Sequence, residues 1–177
     1  MRVVLLGLTG MANPVLEALC REPGVQVAAV FTERYEHPYP FYPEIQLEAL
    51  CARLATHRMT PLEFSHLLEL HESSKALVER SDLDAYDNFN RAFHEAIYTA
   101  THNAFLAEQA IAIRVRLRAF RRTQLRQSGR IARSREEHDG VLTAMAQGNG
   151  DEAGRRMRAH MLNAASALGR YIRTQAE

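Results

Sequence analysis

The sequence predicts a mainly α protein, an antiparallel helical bundle preceded by a partial βαβ unit of Rossmann-like type. Three observations carry this. Residues 1–54 alternate a short apolar run, a glycine turn, a helical stretch and a second apolar run. From residue 57 onward no strand-like run recurs. That second part is punctuated instead by helix-start signals, each followed by apolar residues at helical spacing.

In chain order, Val3-Val4-Leu5-Leu6 reads as a strand buried on both faces, and Gly7 and Gly10 follow it in a turn. Asn13-Pro14 combines an N-cap with a proline at the first helical position. Val15, Leu16 and Leu19 form the buried stripe of that helix, Pro23-Gly24 ends it, and Val25 to Thr32 forms a second strand. Two parallel strands do not make a stable sheet alone, so the unit is partial. A stretch rich in tyrosine and proline, Tyr35 to Pro43, leads to a helix carrying Ile45, Leu47 and Leu50.

The helical part opens at Thr60-Pro61-Leu62-Glu63, a capping threonine with proline and glutamate at the positions a capping box requires. Phe64, Leu67, Leu68, Leu70 and Leu77 follow on that helix. Ser81-Asp82 starts the next, with Tyr86, Phe89, Phe93, Ile97 and Tyr98 on its apolar side. Asn103 caps a third that runs through Leu106, Ile113, Leu117 and Phe120 to about Gln127. Ser134 to Glu137 reads as a second capping box, placing His138 at the end of a first turn, and this helix stops at Gly148. Asp151 caps the last, which reaches Ile172. Short connections imply antiparallel neighbours.

With 177 residues, 46% of them hydrophobic, the chain is long enough for one good core or two small ones. A net charge of +1 gives no global bias toward nucleic acid. No apolar stretch approaches the roughly 20 residues of a membrane helix, and no signal peptide is read at the start. Two cysteines, Cys20 and Cys51, are too few for a disulfide framework and point to reduced packing residues in a cytoplasmic protein.

The candidate site lies in the helical part. Asn90 and His94 are four apart on one helix, so an amide oxygen and an imidazole nitrogen are presented side by side. His138 and His160 come from later helices. Three imidazoles with one oxygen donor suit a divalent metal, zinc first and nickel next, with room left for water or substrate. Arg114 and Arg118, with Arg121 or Arg122, lie near one face of the third helix and form a candidate guanidinium clamp for a carboxylate. Asp87 lies seven residues before His94, about 10 Å along the axis, too far to be a direct ligand.

Residues 58–177 resemble the FCD domain, the effector-binding C-terminal domain of FadR-subfamily GntR transcription regulators. The resemblance rests on Asp84-Ala-Tyr86, Asn90-Arg-Ala-Phe-His94-Glu-Ala-Ile, Asn103-x-x-Leu106, Ser134-x-x-Glu137-His138 and the stretch Asp151 to His160. It implies that Asn90, His94, His138 and His160 bind the metal at the floor of a pocket. It also implies a small effector, pairing into a homodimer, and at least one arginine of the third helix reaching the pocket. Many members carry aspartate where this chain has Asn90. Four neutral ligands leave a divalent ion its whole charge, so a carboxylate effector bound directly to the metal is expected.

The resemblance further implies a helix before Thr60 that is expected to be missing here, along with the winged helix-turn-helix. No stretch of residues 1–57 has a helix-turn-helix pattern, so direct DNA binding is not expected from this chain alone. Residues 1–54, from MRVVLLGLTGMANPVLEAL through VAAVFTERYEHPYPFYPEIQLEALC, resemble the opening of a methionyl-tRNA formyltransferase-type domain. The later region that would carry that enzyme's folate site and catalytic set is absent. The expectation is therefore a metal-dependent effector-binding domain that is not an enzyme. The alternatives are a chimeric or truncated gene product without independent function, or a formyltransferase-related fragment.

Overall fold

A computed structural model describes residues 2–6, 26–31 and 43–176 of the chain. It divides into two compact units, residues 1–42 and residues 43–177. In the first, β1 (Arg2–Leu6) pairs in parallel with β2 (Gln26–Phe31), with Arg2 opposite Gln26 and Leu6 opposite Phe31. The register is irregular between Val3 and Val4. The helix expected at Asn13-Pro14 lies outside the described residues, so no βαβ unit is described.

The second unit holds, among the described residues, eight helices. They are α1 (Pro43–Arg58), α2 (Pro61–Ser73), α3 (Lys75–Glu79), α4 (Leu83–Thr99), α5 (Ala104–Arg116), α6 (Arg118–Gln124), α7 (Arg130–Ala146) and α8 (Gly150–Ala176). The first of these corrects two expectations. A helix does precede Thr60, and it belongs to the bundle: its most extensive pairing is with α8. Ile45, Cys51, Ala52 and Ala55 of α1 are buried core, whereas Leu50 is exposed. The boundary expected between residues 54 and 58 therefore falls at residues 42/43.

Two glycines explain the close α1–α8 crossing. A Cβ on Gly154 would come within 3.0 Å of the Ala49 carbonyl oxygen, and one on Gly150 within 2.9 Å of that of Arg53. Residues four apart stack on one face, so both glycines offer α1 a bare backbone. A side chain at either position would force the helices apart.

The Thr60 capping box forms as expected, with Thr60 Oγ1 accepting from the Glu63 amide and the Glu63 carboxylate accepting from the Thr60 amide. Asp82 and Asn103 cap α4 and α5. The second box does not form. α7 begins at Arg130, after Gly129 at φ 69°, so Ser134 is a buried residue within the helix and Glu137 is free for another task. α8 is capped by Asn149, whose side chain accepts from the Glu152 amide, rather than by Asp151. The single helices expected over 60–77 and 103–127 are each interrupted, at Ser74 and Leu117.

The core gathers Tyr86, Phe93, Ile97 and Tyr98 of α4, Val141 of α7 and Met157 of α8, all inaccessible to solvent. Cys51 is buried as well, and burial, reinforced by Glu48, pushes its thiol up to about 12. In a Cys20→Ser variant the remaining thiol is expected to resist alkylation in native buffer and to react once the protein is unfolded in urea. Rapid native labelling would contradict this burial.

Candidate metal centre

Because Asn90 and His94 are one turn apart on α4, both are carried into the core on the face that also bears Phe93 and Ile97. α7 contributes His138 and α8 His160. One ring nitrogen from each of the three histidines lies within 4.8 Å of the others, and all three residues are buried. His138 Nε2 and His160 Nε2 are 3.3 Å apart. The His138 ring is stacked on Phe93 at 4.1 Å and 16°, which fixes its plane.

The outer nitrogens are what give the cluster its direction. His94 Nδ1 faces Glu48 Oε2 at 2.5 Å, and His160 Nδ1 faces Glu137 Oε2 at 2.7 Å. A carboxylate accepts there, so each Nδ1 carries the proton and each Nε2 presents its lone pair inward. Burial, followed by Arg114, pushes the His94 imidazole down to about 3 despite Glu48. Burial and the neighbouring histidines hold His138 well below its ordinary value, and burial also lowers His160. Neutral imidazoles are the form that binds a metal.

Two buried acceptors fit such an ion. Asn90 Oδ1 and His94 Nε2 have no hydrogen-bond partner among the described residues. An unpaired buried acceptor costs about 1–3 kcal/mol, and a cation between these groups removes that cost. Three imidazole nitrogens and an amide oxygen are borderline donors of the kind zinc and nickel accept.

Glu48 was not anticipated from the sequence. It is buried on α1, where its Oε1 accepts from Arg121 at 2.5 Å and lies 3.5 Å from Arg114. Burial alone would push its carboxyl up. Arg121, His94 and Arg114 outweigh that and hold it well below the usual carboxylate range. Arg114 is buried and also donates to the Asn90 carbonyl at 3.1 Å and to the Tyr98 hydroxyl. Arg130 donates to Glu137 at 2.8 Å and to Gln124.

Of the two arginines expected to clamp a ligand, Arg114 is therefore at the centre and Arg118 is not. Arg118 is exposed on the first turn of α6. Arg121, by contrast, pairs with Glu48. The signal for Glu48 was present: Ile45, Glu48, Ala52 and Ala55 form one helical stripe with a carboxylate in it.

This chain belongs to the FCD domain family, whose model matches residues 45–163. Among solved structures, E. coli McbR/YncC superposes with a TM-score of 0.66 at 22% identity, over 72% of this chain and 61% of that one. At that identity the likeness speaks for the fold, and the chain spans less than two thirds of that protein's length. No curated protein matches. The resemblance of residues 1–54 to a formyltransferase finds no support, and the family match begins inside that segment. No helix among the described residues is long and apolar enough to cross a membrane.

Proposed function

We propose that residues 43–177 form a metal-dependent sensor domain that binds a small carboxylate effector, as in the GntR-type regulators that the sequence resembles. The ion, zinc before nickel, is held by His94, His138, His160 and Asn90. The observation that carries this is the charge around the histidines. Two carboxylates, Glu48 and Glu137, touch them, and three guanidiniums, Arg114, Arg121 and Arg130, touch those carboxylates. A divalent ion adds two further positive charges among neutral ligands, so an anion is favoured at its open position. A homodimer is part of the same reading, following from the family.

Arg121 is the arginine best able to meet the effector. Its side chain retains 13% exposure, and its Nε has no partner among the described residues. Calorimetric titration of citrate or lactate into the zinc-loaded chain tests the proposal, and binding of equal strength after chelation would sink it. Arg121→Ala is expected to weaken carboxylate binding about 10–100-fold, the worth of a hydrogen bond to a charged group. Arg118→Ala is expected to leave it unchanged. The reverse ranking would restore Arg118 as the clamp.

A further inference from the structure

Two of the three clustered histidines have a carboxylate behind them, while His138 Nδ1 is buried without a partner among the described residues. A histidine that ligates a metal nearly always engages its other nitrogen as well. Next to it stands His71 of α2, a buried residue not anticipated from the sequence. The two rings are 6.2 Å apart between centroids and meet edge-on at 65°. His71 Nε2 faces Asp139 Oδ1 at 2.6 Å, so the proton sits on Nε2 and Nδ1 is a lone pair. That Nδ1 is buried, and among the described residues it too has no partner.

The nitrogens are therefore complementary. With Nε2 turned to a metal, His138 carries its proton on Nδ1 and needs an acceptor, which His71 Nδ1 is. Imidazoles at this centroid separation stand too far apart for a direct bond and within reach of one water. A buried water needs two to four polar partners, and the two ring nitrogens supply two. A groove of about 390 Å³ is lined by His71 and Asp139 on the outer side of this pair.

We propose that one internal water, held by His71 Nδ1 and His138 Nδ1, joins the His71–Asp139 pair to His138 and orients that ring for the metal. His71 is thus a positioning residue rather than a ligand. The role in metal binding rests on the centre proposed above, whereas the water link stands on the geometry of α2 and α7.

Three variants of the full chain separate this from a packing role. His71→Gln keeps a donor toward Asp139 but has no acceptor at the Nδ1 position, His71→Asn keeps that acceptor but loses Asp139, and His71→Phe keeps only the ring. Zinc affinity measured by chelator competition is expected to fall about 10–100-fold in the Gln and Phe variants and less in the Asn variant. Unchanged affinity in all three overturns the proposal. So does a loss as large in the Asn variant as in the Gln variant, or one that simply follows the zinc-free melting midpoints. A crystal structure of the zinc-free protein is expected to show the water between the two rings, and a dry gap there overturns the link. If the wild-type chain takes up no zinc, the metal reading fails, and that crystal structure still decides the water.

Discussion

Glu48→Gln is expected to lower the stability of the metal-free protein by about 3–5 kcal/mol, the cost of leaving buried charges without their partner. The substitution is nearly isosteric and can still accept from His94 Nδ1, so little of the loss comes from packing. It comes from Arg114 and Arg121, both largely buried and both drawn to the same carboxylate oxygen. Urea unfolding followed by circular dichroism measures the change. Should the single variant fail to fold, Glu48→Gln combined with Arg121→Gln removes charge from both sides and is expected to recover much of the loss. Zinc affinity in the single variant is expected to fall about 10–100-fold, because the carboxylate that orients His94 is gone. A change below about 1 kcal/mol with unchanged zinc affinity would mean that the ion triad contributes nothing net, as some buried triads do.

Zinc itself is expected to stabilise the wild-type chain by about 2.7 kcal/mol at a free concentration one hundred times its dissociation constant, and by about 4.1 kcal/mol at one thousand times. For a domain of this size that is a rise in melting midpoint on the order of 10 °C, reversed by chelator. His138→Ala removes the nitrogen 3.3 Å from His160 Nε2 and is expected to abolish the zinc-dependent rise. The substitution also takes away the ring stacked on Phe93, so the zinc-free variant melts lower from the start. The telling quantity is the difference between melts with and without zinc in each protein. A full zinc shift in His138→Ala would remove His138 from the ligand set.

The Asn90–His94 pair and the caps at Thr60, Asp82 and Asn103 were legible in the sequence because both are local, whereas His138 and His160, on two other helices, joined the set through the family resemblance. A capping box occupies four residues, and an i, i+4 pair fixes its own geometry. What was illegible depends on partners far along the chain. Glu48 reads as an ordinary polar position until α1 meets α4, α5 and α6, and Glu137 reads as half of a capping box until Gly129 starts α7 one turn earlier than Ser134 would. For the arginines, periodicity gives a face, and only the tertiary position of Glu48 decides that Arg114 and Arg121 pair with it. The strands Arg2–Leu6 and Gln26–Phe31 fall on the two short apolar runs and pair in parallel.

The α1–α8 crossing on Gly150 and Gly154 has a kinetic consequence. It joins the first helix of the bundle to the last, so it closes the longest loop in the unit, and such closures come late because their entropy is spent before their contacts form. His160 and Glu48 ride on these two helices. A fragment begun after residue 58 would lack Glu48, and with it the carboxylate that His94 Nδ1 faces.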